Sequence, residues 1–228
     1  MCIRDRLGIV DPGSGSKREP VRFLVFSASL RTNSLNTRLV RLAAERIEAN
    51  DGMVSFALMH DFDVPSYDQD VQDAEGFPAG AEAFYKRLME TDAFVIASPE
   101  YNASFPGALK NLIDWVSRYR PQPFNARQCL LLSASPSMMG GNRGLWSLRV
   151  PLEHLGARVY PDMFSLAQAN QAFDGDGHLV NEQLDTRFEK TIVAFMDLVE
   201  ADTHYHCAKK AWFEYLGEPL TAETEREE

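Results

Sequence analysis

Five short, nearly continuous apolar runs constrain the fold of this chain more than any other feature of its sequence. They are rich in Val, Leu, Ile and Phe, as expected of strands that are covered on both faces of a sheet. The runs lie at residues 21–27, 53–59, 93–98, 129–134 and 158–164. Because parallel strands need crossover connections and helical patterns occupy the intervals, the sequence predicts an α/β fold with helices on both faces of a doubly wound parallel sheet.

The helical patterns alternate with these runs, at residues 36–49, 79–89, 107–118, 142–155 and 182–200. The first helix is amphipathic, and Asn36 is a suitable N-cap for it. Pro151 is expected to interrupt the fourth helix, because proline removes a backbone hydrogen bond. The acidic interval from Asp61 to Asp73 is predicted to be irregular.

The 228 residues are predicted to contain one domain, residues 21–200. Residues 1–20 read as a disordered leader, and residues 201–228 as a C-terminal helix followed by an acidic tail. The first six residues resemble the translation of a sequencing adapter, which would make them an artefact. A genuine N-terminus is the alternative reading of the same residues.

The charge balance excludes one large class of partners. With 23 Lys and Arg against 33 Asp and Glu, the net charge of −10 has the wrong sign for binding nucleic acid or an anionic membrane. Any bound phosphate must therefore be met by local groups. The three cysteines are odd in number and far apart, so no disulfide framework is expected, and a reducing cytoplasm is the predicted location.

In a doubly wound sheet the ligand lies beyond the carboxyl ends of the strands, near the point where the strand order reverses. The loop after the first run carries Ser29, Arg31, Ser34 and Asn36 immediately before a helix. Hydroxyls, a guanidinium and a positive helix terminus at one point are suited to a phosphate. The alternative is an ordinary polar loop with an N-cap. A nucleoside triphosphate is not expected, because the loop has no Walker lysine.

Two further loops are unusual. Residues 98–107 carry two prolines and Tyr101, and such a stiff loop beside an aromatic ring suits a flat heteroaromatic ligand, although a turn with a surface tyrosine is the alternative. In the loop after the fourth run, Gly140 and Gly141 allow the backbone to approach a ligand closely.

Together these motifs resemble one protein family. Residues 29–36, the long stretch 99–115, and Gly140-Gly141 with Leu148-Arg149 are similar to the NADPH-dependent FMN reductases, which are flavodoxin-like proteins. The resemblance spans about residues 21–200. It implies a five-stranded parallel sheet in the order 2-1-3-4-5, bound FMN, and a homodimer or homotetramer built through helices on one side. Ala28 departs from the glycine that many members have, and it is expected to narrow the loop.

The resemblance also implies a cofactor site made of three groups of residues. The FMN phosphate would be held by Ser29, Arg31, Ser34, Leu35 and Asn36; the isoalloxazine would be lined by Pro99, Glu100, Tyr101, Asn102 and Ser104; and Ser135, Gly140 and Gly141 would close its other edge.

The implied activity is that of an NAD(P)H-dependent oxidoreductase. Hydride would pass from NADPH or NADH to FMN, and electrons would then pass to a small acceptor, either a flavin, a quinone, an azo compound or a metal oxyanion, in a ping-pong sequence. No side chain is assigned as catalytic. Arg143 either recruits the phosphates of the nicotinamide cofactor or is simply solvated. The alternative function is a non-enzymatic FMN-binding electron carrier or interaction module.

Other candidate sites are weaker. Residues 174–178 begin like a calcium loop, but the later ligand positions are wrong, so a turn is favoured. His204, His206 and Cys207 lack a completing metal ligand. Cys129 lies in the fourth predicted strand and is expected to be a small buried hydrophobe.

Overall fold

The computed structural model of the protein describes residues 19–204, and its elements follow the predicted alternation of strands and helices. The predictions for the leader, for Cys2, His206 and Cys207, and for the acidic tail lie outside the described residues. The strands are β1 (Arg22–Ser27), β2 (Met53–Leu58), β3 (Ala93–Ala97), β4 (Gln128–Ala134), β5 (Arg158–Val159) and β6 (Phe164–Leu166). The α-helices are α1 (Leu35–Ala49), α2 (Gln69–Glu75), α3 (Ala79–Met89), α4 (Gly107–Val116), α5 (Asn142–His154) and α6 (Glu182–His204). Two short 3-10 helices, Met59–Phe62 and Ala169–Gln171, complete the set.

The sheet is parallel and has the order β2-β1-β3-β4-β5, which confirms the predicted flavodoxin-like arrangement. The predicted fifth strand is divided in two. β5 pairs with the start of β4, and β6 pairs with its end. Pro161 lies between the two pieces, and proline has no N–H to donate to a ladder, which accounts for the break.

Two hydrophobic layers cover the sheet, one on each face. Successive residues of β1 point to opposite sides, so that Phe23 and Val25 belong to one layer while Leu24 and Phe26 belong to the other. The first layer contains the apolar faces of α1 and α6, and the second contains those of α3, α4 and α5. Because both faces are covered, polar ligands can reach the sheet only at its ends.

Three local expectations were wrong. The N-cap of α1 is Ser34 and not Asn36, because the Ser34 hydroxyl accepts hydrogen bonds from the N–H groups of Asn36 and Thr37. The acidic interval contains helix α2, which is capped by Asp68 and buries none of its side chains, so it gives no apolar period. Helix α5 continues through Pro151, since Leu148 and Leu152 are buried on either side and anchor it.

The turn favoured over a calcium loop is present. The Asp174 carboxylate accepts hydrogen bonds from the N–H groups of Asp176 and His178, at 3.0 and 2.9 Å. Within residues 19–204, no helix is long and apolar enough to cross a membrane.

Candidate functional site

The three predicted loops lie together at the carboxyl edge of the sheet, where hydrogen bonds tie each one to its neighbours. The Asn36 side chain bonds to the backbone of Ala134 at the end of β4. The Ser133 hydroxyl donates to the Ser98 carbonyl at 2.7 Å, which joins β4 to the end of β3. The edge is therefore a single braced surface rather than three independent loops.

The loop after β1 has the donors that a phosphate requires. Ser29 and Ser34 are buried and shape the loop, and the Ser29 hydroxyl accepts a hydrogen bond from the Arg31 N–H at 3.3 Å. The Arg31 side chain is exposed, and within residues 19–204 its guanidinium has no carboxylate partner. Arg31 precedes Leu35, the first residue of α1, by four residues, and the N-terminus of this helix of 15 residues carries partial positive charge. A dianionic phosphate fits this combination.

Two other residues of this loop are less open to a ligand. Leu35 is half-buried as the first residue of α1, and Asn36 is only 3% exposed. Ala28 is buried, and its N–H donates to the Ala97 carbonyl at 2.9 Å, so the methyl group packs into the core below the loop.

The loop after β3 is a tight turn that presents a tyrosine. The backbones of Tyr101 and Ser104 exchange two hydrogen bonds, at 2.7 and 3.0 Å. Asn102 and Ala103 between them both have positive φ, 52° and 61°, as a type I′ turn requires. Tyr101 is 48% exposed, while Pro99 is buried beneath the loop. The turn thus offers an aromatic surface on a constrained backbone.

Glu100 holds this loop against helix α5. Its carboxylate accepts hydrogen bonds from Arg143 Nε at 2.9 Å and from the Gly144 N–H at 3.1 Å. The Gly144 N–H belongs to the first turn of α5, so the carboxylate caps that helix terminus. A Cβ on Gly144 would lie 3.1 Å from the Glu100 Cβ, which shows how closely the loop and the helix approach. The charge of Arg143 is therefore balanced by Glu100.

The loop after β4 needs both of its glycines. Gly140 and Gly141 have φ values of 60° and 85°, and a Cβ on Gly141 would overlap the Ser133 hydroxyl. The Ser135 hydroxyl donates to the Ser137 hydroxyl at 3.1 Å. Met138 and Met139, 73% and 50% exposed, form an apolar rim beside these groups.

The edge has the donors and flat surfaces of a binding site, but within residues 19–204 it presents no cysteine nucleophile. Cys129 is fully buried in β4, and burial raises the pKa of its thiol well above its ordinary value, so the thiol stays neutral. Among residues 19–204, no three His, Cys, Asp or Glu side chains form a group that could hold a metal ion.

Sequence reasoning placed the site residues at one edge but missed their partners. Glu100 and Gly144 are 44 residues apart, and Asn36 and Ala134 are 98 residues apart. No local pattern relates residues at such separations. The one available signal was Gly144 itself, an unexplained glycine in a predicted helix.

Comparison with known proteins adds an independent line of evidence. The family model described as "NADPH-dependent FMN reductase" matches residues 21–171. A quinone reductase of Escherichia coli K12 is 33% identical over 188 residues, covering 80% of this chain and 97% of that protein. An NAD(P)H-dependent FMN reductase of Pseudomonas aeruginosa is 34% identical over 167 residues, covering 72% and 88%.

Solved structures of flavoproteins have a similar fold. The flavoenzyme NAD(P)H:acceptor oxidoreductase FerB of Paracoccus denitrificans superposes with a TM-score of 0.68 at 26% identity, covering 80% of this chain and 98% of that one. A flavodoxin from the domain Archaea has a TM-score of 0.51 at 11% identity, covering 79% and 99%, and shows a likeness of fold alone.

Proposed function

The chain belongs to the NADPH-dependent FMN reductase family, and on that premise we propose that the braced carboxyl edge of its sheet is the FMN site. The protein is an oxidoreductase of the FMN reductase type, with FMN and NADPH or NADH as cofactors. The observation that carries the site assignment is the exposed Arg31 side chain in the loop that leads into the N-terminus of α1. In a chain with a net charge of −10, an arginine that has no carboxylate partner within residues 19–204 and precedes a helix supplies the local positive field that a phosphate needs.

In the proposed site, three sets of residues bind three different parts of FMN. Ser29, Arg31, Ser34 and the first turn of α1 hold the phosphate. The turn from Pro99 to Ser104 lines the ring, with Tyr101 as its aromatic surface. Ser135, Gly140 and Gly141 close the opposite edge. All three groups act by orientation and by hydrogen bonding, and no side chain is needed as acid, base or nucleophile.

Bound FMN supplies the redox chemistry, since it accepts hydride from a nicotinamide and returns electrons to an acceptor. The protein's part is to keep two flat molecules stacked in turn at one open face, which leads to a ping-pong order. Since that order requires one reactant to leave before the next arrives, the face must remain accessible. The exposure of Tyr101, Met138 and Met139 supports this requirement.

A quinone is the acceptor class that the rim favours. Met138, Met139 and Tyr101 offer apolar and aromatic surface to a flat molecule. Arg143, a nearby cation that could attract an oxyanion, is paired with Glu100 at 2.7 Å. The names of several relatives, among them the quinone reductase of E. coli, support the same class.

We also propose that the protein works as a homo-oligomer in a reducing cytoplasm. Four exposed side chains, which we call the α5 strip, lie on α5 and on the two loops next to its start: Tyr101, Met139, Trp146 and Val150. Trp146 and Val150 are four residues apart, so they share one face of the helix. A second copy of the chain on this strip would border the FMN site. The free thiol of Cys129 is consistent with a reducing compartment.

Anaerobic spectroscopy tests the activity. The full chain is loaded with FMN and mixed with NADPH or NADH in the absence of oxygen, and free FMN with the same reductant serves as the control. The oxidised flavin absorbance should bleach within seconds, and added benzoquinone should restore it. A flavin that stays oxidised in the protein would contradict the enzymatic function. Faster restoration by chromate than by benzoquinone would contradict the quinone assignment alone.

A further inference from the structure

Asn36 occupies a position where the sheet would otherwise lack a hydrogen-bonding partner. On the β3 side of β4, the last backbone bond is donated by the Ser98 N–H to the Leu132 carbonyl, at 2.9 Å. Beyond Ser98 the chain leaves the sheet and enters the loop after β3, from Pro99 to Ser104, which we propose lines the isoalloxazine ring. The next residue of β4 whose N–H and C=O face that side is Ala134, because alternate residues of a strand face the same neighbour.

The Asn36 side chain satisfies both of those groups. Its Nδ2 donates to the Ala134 carbonyl at 3.0 Å, and its Oδ1 accepts from the Ala134 N–H at 2.9 Å. An amide is the neutral side-chain group that can donate and accept in this parallel fashion. Asn36 is 3% exposed, and its own N–H is used by the Ser34 hydroxyl at 3.2 Å. Its side-chain oxygen, one of its two side-chain N–H groups and its backbone N–H are thus already bonded within the protein.

On its other side, Ala134 is paired in register with Leu166 of β6. The next residue, Ser135, begins the loop that closes the ring's far edge. Helix α1, in contrast, begins at the phosphate loop. A bond between Asn36 and Ala134 therefore fixes the position of the ring subsite relative to the phosphate subsite.

We propose that Asn36 is a positioning residue, which locks the loop after β4 to the start of α1 and does not itself bind the FMN phosphate. This inference rests on the proposed FMN site, and it changes the role that the family resemblance suggested for Asn36. A phosphate ligand matters only for flavins that carry a phosphate. A residue that positions the ring loop matters for every flavin.

Riboflavin, which has the same ring without the phosphate, separates the two roles. The flavin-free full chain is titrated with FMN and with riboflavin for wild type, Asn36→Leu, Asn36→Ala and Arg31→Ala. Asn36→Leu keeps the volume of the side chain, and Asn36→Ala removes it. Both should weaken FMN and riboflavin by a similar factor, about tenfold, because the two Ala134 groups lose their partners. Arg31→Ala should weaken FMN by about tenfold and leave riboflavin unchanged.

The ratio of the two affinities is the decisive quantity. An FMN-to-riboflavin ratio that stays near the wild-type value in the Asn36 variants supports positioning. A ratio that falls as it does in Arg31→Ala overturns the inference, because that result would make Asn36 a phosphate ligand.

Hydrogen exchange in the wild-type protein tests the bridge without any variant. Nuclear magnetic resonance should show slow exchange for the Ala134 N–H and for the Asn36 side-chain amide, in contrast to the exposed side chain of Asn33. Fast exchange of both groups overturns the inference even if the Asn36 variants fail to fold. If wild type binds neither flavin, the proposed function fails, while the exchange data still decide whether Asn36 joins the two loops.

Discussion

Tyr119 lies in a stack of three aromatic rings. Its ring centroid is 3.9 Å from that of Phe77 and 4.2 Å from that of Tyr85. Its hydroxyl is buried and has no hydrogen-bond partner among the described residues 19–204. Burial, followed by the charge of Glu82, raises the pKa of Tyr119 from its ordinary 10.0 to about 12. The ring stack thus stabilises the neutral phenol.

This shift predicts a loss of stability at high pH. Because the pKa of the folded state is the higher one, the contribution of Tyr119 is complete below pH 10 and disappears as the pH rises through about 12. The free energy of unfolding of wild type should therefore fall between these limits more steeply than that of Tyr119→Phe, as measured by urea unfolding. Tyr67→Phe retains Tyr119 and should keep the steeper slope. Equal slopes in wild type and Tyr119→Phe would refute the assignment.

The polar residues at the sheet edge could be identified from the sequence, but their hydrogen-bond partners could not. The sequence predicts that Glu100 and Asn36 belong to one site, and the structure brings both to the carboxyl edge of the sheet, where the cofactor role of each stays a prediction. Their bonds to Gly144 and Ala134 could not be predicted, because a hydrogen bond across 44 or 98 residues depends on the folded topology. The same limit applies to Arg143. Its two alternative roles could not be separated from the sequence alone, because its contact with Glu100 depends on the folded topology.

At the scale of elements, α4 holds an extended segment that precedes α2. Asn111 accepts a hydrogen bond from the Tyr67 N–H and donates to the Pro65 carbonyl, both at 2.8 Å. Trp115, fully buried, donates its indole N–H to the same Pro65 carbonyl at 2.8 Å. The helical half of the long family motif is thus structural, whereas its loop half belongs to the FMN site that we propose. The sequence alone did not separate these two halves.

Substitution of Asn111 should show this structural role. Asn111→Ala leaves the half-buried Tyr67 N–H without its partner and leaves the Pro65 carbonyl with the Trp115 indole alone, so the free energy of unfolding should fall by about 1.5 kcal/mol. The neighbouring Lys110→Ala removes only an exposed pair with Asp114 and should change the free energy by less than about 1 kcal/mol. Urea unfolding of the two variants measures the difference. If Asn111→Ala and Lys110→Ala lower the free energy of unfolding by the same amount, the hydrogen bonds of Asn111 to the segment do not stabilise the fold.

Element boundaries followed from periodicity where a buried stripe existed. Helix α3 and strand β3 bury several apolar side chains, and the predicted ranges lie within one residue of those observed. Helix α2 has no buried residue, so only its caps, Asp68 and Gly76, mark it. The helical pattern around Pro151 was interpreted too strictly, because buried leucines on both sides of a proline can hold a helix together.

At the scale of the whole molecule, the alternation of strands and helices was sufficient for the fold. The strand order, however, came from the family resemblance, because periodicity does not specify which parallel strands are neighbours. The charge is also a property of the whole chain. With a net charge of −10, the exposed Arg31, which has no carboxylate partner within residues 19–204, is the cation that we propose for the phosphate.

The assembly that we propose brings two copies of the chain together at the α5 strip. Arg149 lies over one face of the Trp146 ring, with the Arg149 Cζ 5.4 Å from the ring centroid. The Trp146 side chain is nevertheless 57% exposed. Tryptophan and arginine are the residue types that contribute most to protein interfaces. Trp146 is therefore the expected centre of contact with a second copy.

Trp146→Ala should weaken that contact by about 2 kcal/mol, which raises the dissociation constant about thirtyfold. Met53→Ala is the matched control, because Met53 is 53% exposed at the start of β2, away from the strip. Light scattering coupled to size exclusion, over a range of protein concentrations, should show wild type and Met53→Ala as oligomers under conditions where Trp146→Ala is a monomer. Because Tyr101 belongs both to the strip and to the proposed FMN site, the monomeric variant should also retain FMN less tightly. Wild type that is monomeric at every concentration, or a Trp146→Ala variant that assembles normally, would show that the α5 strip is not the interface.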